Sequence, residues 1–345
     1  RLSSVQSHPV TSGIDQFIEL CDHAVFKHIC RPNWRYRDKA TGGSKGDFLA
    51  FCEGGEMPPG PTGRDALWSK RWDHDYSDLL PEKLTSPVEQ ERIRNLFVKV
   101  VGQCGPEFVL DHLASSIGSP ATIDAKVQRE RTGREMMISL NYHDLLLLPY
   151  AWQIIRFGKH VLDGSPVILE LGGGYGGMAV KLKTFWPRAT IYLMDLPEVL
   201  AVQAFYIQSC FPEAKVAMLE DIDDGDFISK ADFVFLPGWR MDLVPDGSVD
   251  LATNVRSMME MSRSVINIYF FELQRVVRNG GLFACMNRYY KGNEETRLKN
   301  YPFDPHWSLL LSQTSVIQPH IHELIVQRTM MPQEFPLPMV LESLP

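Results

Sequence analysis

Cysteine is scarce in this chain of 345 residues. There are six, Cys21, Cys30, Cys52, Cys104, Cys210 and Cys285, and they are scattered. A chain this long can bury one large core or two ordinary ones, whereas dense disulfides are a device of small secreted domains. Reduced thiols and a cytoplasmic location are therefore expected. Long apolar runs are missing as well. The longest candidate, Leu145 to Ile155, holds Pro149, Tyr150 and Gln153 and falls short of the roughly 18 residues that span a bilayer. No apolar leader is visible, and no membrane partner is expected. Basic runs are the third absence. With 35 basic against 42 acidic residues, the formal net charge is −7. Arg31 to Lys39 and Lys126 to Arg134 are the densest basic stretches, and both read as solvated helix faces or loops. Nucleic acid would be repelled unless basic residues gathered on one face. A small molecule is favoured by elimination.

Metal-ligand clusters are weak. Glu220, Asp221, Asp223, Asp224 and Asp226 form an acidic run that reads as a solvated turn. Cys21, His23, His28 and Cys30 are zinc-like in type, but at helical spacing only Cys21 and His28 share the apolar stripe. No metal is expected.

What is present divides into two halves. The first reads as helices between polar loops. Ile14, Phe17, Ile18, Cys21 and Val25 recur at helical spacing. Thr41 to Arg64 is a Gly- and Pro-rich loop. Ser86-Pro87-Val88-Glu89 is a helix start, with serine as cap, proline at the first position and Glu89 reaching back. That helix ends at Gly102 to Gly105, and a second is predicted from Pro106 to Ser116, stopping at Gly118. Ser119-Pro120 opens a connector, and Asn141 to Phe157 is a further apolar stretch. In the second half, short apolar runs alternate with helical segments. The runs are at Val167, Thr190, Phe233, Val249, Leu282 and His322. Continuous apolar strands joined by helical crossovers call for a parallel sheet buried on both faces. The expectation is an α/β fold in two parts: a mainly helical N-terminal lid or dimerisation region over 1–160, and a nucleotide-binding domain over 161–345.

The sharpest signal is Glu170-Leu171-Gly172-Gly173-Gly174-Tyr175-Gly176-Gly177, between a strand and a helix. Glycines there permit a tight turn and a close approach of ligand to backbone. Read as Gly172-x-Gly174-x-x-Gly177 it fits a dinucleotide fingerprint. Read as Glu170-x-Gly172-x-Gly174-x-Gly176 it fits an S-adenosylmethionine loop. Glu170 favours the second, because a carboxylate repels a pyrophosphate and attracts a cationic amino acid. Asp195, followed by Leu196, ends the next strand, where a carboxylate can accept from both ribose hydroxyls of either ligand. Arg278-Asn279-Gly280-Gly281 then carries a helix into a strand.

These motifs, in this order, resemble class I S-adenosylmethionine-dependent methyltransferases from Val167 to about Thr329. Val249-Asp250-Leu251-Ala252-Thr253-Asn254 with Ser257, Met258, Glu260 and Met261 is similar to sugar O-methyltransferases of natural-product pathways, as are Asn141-Tyr142-His143-Asp144-Leu145 and Gly118-Ser119-Pro120. The resemblance implies a Rossmann-like seven-stranded sheet with its last strand antiparallel, and S-adenosylmethionine at the carboxyl ends of the strands. Glu170, Gly172, Gly174 and Gly176, with Tyr175 in the same loop, would line the methionine end. Asp195 and Leu196 would serve the ribose side, and Asn254 would face the methionine moiety or the acceptor. Relatives often place an acidic residue near the adenine amine. Here the chain reads Leu236-Pro237-Gly238-Trp239, so stacking by Trp239 would have to substitute.

The implied activity is methylation of a hydroxyl on a sugar or glycosylated natural product, with oxidoreduction by a nicotinamide cofactor, or cofactor binding without catalysis, as alternatives. A sugar hydroxyl needs a base to take its proton, a contribution of roughly 10²–10⁴-fold. His143, Glu260 and His306 are the candidates, the last within Tyr301-Pro302-Phe303-Asp304-Pro305-His306-Trp307, whose aromatics would wall a sugar pocket. A homodimer through apolar helices of the first half is a further expectation.

Overall fold

The computed structural model describes residues 87–113, 122–221, 228–290 and 296–345, without the side chains of Glu89, Glu198, Glu220 and Glu260. The early helical stripe, the Thr41 to Arg64 loop, the Cys21 to Cys30 group, Gly118-Ser119-Pro120 and most of the acidic run lie outside the described residues. These residues fall into two compact units. One takes residues up to Leu145 with Gly174–Gly176 and Pro197–Cys210, and the other takes the rest.

In the first unit, α1 (Pro87–Cys104) and α2 (Pro106–His112) start at the two prolines, as their fixed φ allows. Between them Gly105 adopts φ 82°, a backbone conformation that favours glycine. An antiparallel hairpin follows, β1 (Thr122–Gln128) and β2 (Glu135–Asn141), in register from Thr122 opposite Asn141 to Gln128 opposite Glu135. Of the basic stretch Lys126 to Arg134, the structure puts Lys126–Gln128 in β1, in place of a helix face or loop, and Arg129–Arg134 in the connecting loop, as expected. Ile123 and Val127 are buried on alternating positions, the period of a strand, and Gly133 turns the chain at φ 65°. α3 (Tyr142–Gly158) then begins where Asn141 Oδ1 accepts from the Asp144 amide.

The second unit is built on one sheet. Its strands are β3 (Val167–Leu171), β4 (Thr190–Asp195), β5 (Val216–Ala217), β6 (Phe233–Pro237), β7 (Val249–Val255), β8 (Val277–Arg288), β9 (Trp307–Thr314) and β10 (Ile321–Arg328), in the order β5-β6-β4-β3-β7-β8-β10-β9. β3 to β8 run parallel, and β10 is antiparallel to both its neighbours. This is the expected Rossmann-like arrangement. The two-residue edge strand β5 brings the strand count to eight. The central strands are buried on both faces: Leu169, Leu171, Met194 and Leu236 pack with Ile266, Phe270 and Leu273 of α6 (Arg263–Val276), and Ile168, Leu193 and Phe235 are buried on the other side. α4 (Gly177–Phe185) follows β3 and α7 (Leu337–Leu341) closes the chain; α5 (Pro197–Cys210), next after β4 in sequence, belongs to the first unit.

The order of strands reverses between β3 and β7. Successive crossovers leave β3 in one direction and β7 in the other, which opens a crevice at the carboxyl ends of these two strands. The Gly172 turn stands there. At the opposite, amino edge, Asp250 accepts from the Val167 amide and pairs with Arg278, and buried Lys183 pairs with Asp232. The expected glycine pair before β8 is a bulge rather than a helix cap. α6 ends at Val276, and pairing with β7 jumps from Val277 to Leu282. Gly281 packs so tightly that a Cβ would lie 2.9 Å from the Arg278 carbonyl oxygen. No described helix is long and apolar enough to cross a membrane. Among the described residues Cys104, Cys210 and Cys285 form no disulfide.

Candidate active site

The chain turns sharply at the end of β3. Gly172, Gly174 and Gly176 have φ of 69°, 67° and 93°, a region that costs other residues about 1–2 kcal/mol. The Gly172 amide donates to the Met194 carbonyl at the end of β4 (2.8 Å). A Cβ on Gly172 would lie 1.8 Å from Ser257 Oγ, and one on Gly173 would lie 2.9 Å from the Glu170 carboxyl carbon. The turn is therefore wrapped around two polar side chains, and only bare backbone fits. Glu170 is 2% exposed. Beside it in register on β7 stands Thr253, whose buried Oγ1 has no hydrogen-bond partner.

Asp195 ends β4 half-buried. Its Oδ1 accepts from the Leu196 amide (2.9 Å), and its carbonyl accepts from the Gly238 amide (2.8 Å). That second bond ties the end of β4 to the turn after β6. Trp239, next in that turn, is 61% exposed.

One residue of this crevice was not singled out from the sequence. Tyr269 of α6 brings its hydroxyl so near Gly238 that a Cβ there would lie 2.3 Å from it and 3.6 Å from the Asp195 carbonyl oxygen. Burial, and then the negative charge of Asp195, push this hydroxyl up to about 12, so it remains a donor at physiological pH. In the sequence it is one aromatic among several on an amphipathic helix, and only the packing of α6 under β4 and β6 reveals it. Tyr269→Phe is expected to weaken S-adenosylhomocysteine binding several-fold, the value of one neutral hydrogen bond, with an unchanged melting temperature; calorimetric titration measures it.

Asn254 is fully buried. Its Nδ2 donates to the Leu171 carbonyl, and its Oδ1 accepts from the Met258 amide and from Asn287. In place of the expected contact with the methionine moiety or acceptor, its side chain braces the loop after β7 against the turn after β3. Among the first unit's residues, Tyr175 is buried edge-on against Tyr206, ring centroids 5.0 Å apart, and His143 sits nearly buried in the first turn of α3, edge-on to Tyr142. Glu260 ends a short 3-10 turn, Met258–Glu260, after β7.

His306 does not meet these groups. Since β9 is antiparallel to β10, and β10 to β8, Trp307 pairs with Arg328 at the amino edge of the sheet. His306 precedes it there, with Nδ1 3.2 Å from the Thr329 carbonyl. The glycine turn is at the other edge, so His306 as base is corrected. Its aromatic neighbours wall no pocket either, because Tyr301, Phe303 and Trp307 pack with Phe270 and Phe283 in the core. His306→Ala is expected to leave turnover unchanged, as steady-state kinetics will show.

His322 stands at the carboxyl edge. Its ring nitrogens lie 3.0 Å from the Tyr289 hydroxyl and 2.9 Å from Ser312 Oγ. Burial pulls it down from 6.5 to about 4. Between those values the unfolded chain takes up a proton that the folded chain refuses, so stability falls as pH drops through that window. His322→Gln should flatten this part of a melting-temperature profile against pH.

The donors and acceptors present fit a cationic amino-acid nucleoside. Bare backbone provides room, Glu170 and Asp195 provide negative charge at two strand ends, and the buried Thr253 hydroxyl awaits a partner. A pyrophosphate would meet Glu170 instead. Among the described residues no group of His, Cys, Asp or Glu could hold a metal ion.

Residues 119–273 match a family model described as O-methyltransferase domain. No curated protein matches the chain. Among solved structures, the YcgJ protein of Bacillus is 18% identical over 43% of this chain and 53% of its own, with a TM-score of 0.30. A geranyl diphosphate methyltransferase is 13% identical over 54% and 88%, with a TM-score of 0.37. An O-methyltransferase family 2 protein from Planctomyces limnophilus is 14% identical over 54% and 60%, with a TM-score of 0.33. The chain thus spans about half the length of the first of these, and overlaps this partial carry no argument about acceptor or mechanism. The matched region, the strand order and the glycine turn together make residues 119–273 similar to an O-methyltransferase domain.

Proposed function

We propose that the protein methylates a hydroxyl of a sugar or sugar-bearing natural product. The observation that carries the reading is the Gly172 turn at the switch between β3 and β7, bounded by Glu170 and Asp195 and lying within the matched domain. The sugar class is supported by the strings Val249 to Asn254 and Asn141 to Leu145.

S-adenosylmethionine supplies an electrophilic methyl group for in-line transfer. The chain's residues supply alignment, worth roughly 7–11 kcal/mol when geometry is held. Glu170 and the bare turn receive the amino-acid end. Asp195 holds the ribose hydroxyls next to Leu196, and Tyr269 donates from beneath the Gly238 turn. Trp239 offers an exposed ring to the adenine. His143, at the head of α3, or Glu260, just past β7, takes the acceptor's proton. Residues 1–160 serve as lid or dimer interface, in a cytoplasmic enzyme.

The test is to incubate the protein with S-adenosylmethionine and a panel of free and nucleotide-linked sugars, with mass spectrometry as readout. A methyl ether on a sugar supports the reading, and transfer only to non-sugar hydroxyls would overturn it. His143→Ala and Glu260→Gln should spare S-adenosylhomocysteine affinity. One of them should lower turnover by the roughly 10²–10⁴-fold that a base contributes.

A further inference from the structure

Neighbouring parallel strands β7 and β8 finish side by side at the carboxyl edge, and each finishes at an arginine. Arg256 follows the last residue of β7, and Arg288 is the last of β8. Arg256 donates its amide to the Met286 carbonyl (2.8 Å), two residues before Arg288. Its φ is 60°, and it is the one described non-glycine residue in the left-handed region. Such strain persists where the surroundings over-determine it. Here Asn254 and Asn287 do so, with the Asn287 Oδ1 accepting from Met259 and its Nδ2 donating to Asn254.

Among the described residues neither guanidinium group has a hydrogen-bond or ion-pair partner. Nε of Arg256 and Nε of Arg288 are sealed from solvent without a hydrogen bond, and neither side chain has a carboxylate within ion-pair distance among the described residues. Several other described arginines are compensated. Arg275 holds Asp246 and Glu272, Arg278 holds Asp250, Arg328 holds Asp304 and Arg129 holds Glu107 and Asp111. A chain with a net charge of −7 has carboxylates to spare, yet two permanent cations stand uncompensated beside the methyl-transfer crevice. Two other polar groups near the end of β8 are already satisfied: the Tyr289 hydroxyl lies 2.6 Å from Thr314 Oγ1, and His322 is held from both sides. Half-buried donors without acceptors are costly, and planar guanidinium forks match carboxylate and phosphate oxygens.

Building on the methyltransferase reading above, we infer that Arg256 and Arg288 bind an anionic group of the acceptor, a carboxylate or phosphate carried near the hydroxyl that is methylated. A sugar acid or a sugar linked to a nucleoside diphosphate has this chemistry; a neutral glycoside does not.

The full chain is titrated with glucose, glucuronate, inorganic phosphate and pyrophosphate, with and without saturating S-adenosylhomocysteine. At least one anion should bind ten times more tightly than glucose and weaken as salt is raised. Glucuronate as the tighter ligand indicates a sugar acid, and pyrophosphate a nucleotide-linked sugar. Arg256→Met and Arg288→Met should each lose at least tenfold in anion affinity, with Arg→Lys at either position keeping part of it. Melting temperatures identify any variant that fails to fold. The inference is overturned if no anion binds the wild type, or if folded Met variants bind as the wild type does. Should S-adenosylhomocysteine fail to bind while anions bind through the two arginines, the cofactor reading falls and the anion site stands.

Discussion

Gly172→Ala is expected to lose S-adenosylhomocysteine binding by at least a hundredfold and to destabilise the fold by about 2–5 kcal/mol. Two costs combine. A β-carbon disfavours φ of 69°, and the same carbon would overlap Ser257 Oγ at 1.8 Å. Neither strand end can give way, because Asn254 ties Leu171 to Met258 and the Gly172 amide is bonded to Met194. Relief has to come from the turn itself, which is the surface proposed to meet the cofactor. Ser257→Gly in the same chain removes the overlap and leaves the dihedral cost, so the double variant should regain part of the stability. Urea unfolding and calorimetric titration measure both effects. Wild-type affinity in Gly172→Ala would show that the turn does not receive the ligand.

Asp195→Asn is expected to weaken cofactor binding roughly ten- to a hundredfold, since a hydrogen bond to a charged acceptor contributes about 1.5–3 kcal/mol and 1.4 kcal/mol is tenfold. The amide oxygen can still accept from Leu196, so melting should shift by no more than a few degrees. Asp195→Ala loses both bonds and should show the binding defect together with lower stability. The contrast separates a ligand-holding carboxylate from a merely structural one. Equal affinity for S-adenosylhomocysteine in wild type and Asp195→Asn would remove Asp195 from the site.

Much of the fold could be read from local pattern. Val167 to Leu171 and Thr190 to Asp195 are short apolar runs flanked by turn residues, and buried parallel strands show that signature because both faces are covered. The glycine turn was legible for the same reason, since positive φ leaves few alternatives to glycine. What escaped was set by contacts distant in sequence. β9 is largely exposed on the sheet edge, and its short run Leu309-Leu310-Leu311 sits among polar residues, so Trp307 to Thr314 did not stand out. The β1–β2 hairpin hides in a charged stretch, with only three buried apolar positions, Ile123, Val127 and Leu140. His306 looked catalytic because sequence gives no edge to a residue; the antiparallel β10 is what sends the start of β9 to the amino side. Asn254 stands at the right strand end, and only its three hydrogen bonds show that its side chain is spent on the scaffold. Tyr269 and the pair Arg256 and Arg288 emerge from packing and from missing partners, neither of which a one-dimensional pattern records.

The chemistry rests on which nucleoside enters the crevice between β3 and β7. Titration of the full-length protein with S-adenosylhomocysteine and, separately, with NAD decides it. The expected result is one saturable S-adenosylhomocysteine site, weakened by Asp195→Asn, and no heat from NAD. Saturable NAD binding with no response to S-adenosylhomocysteine would contradict the account.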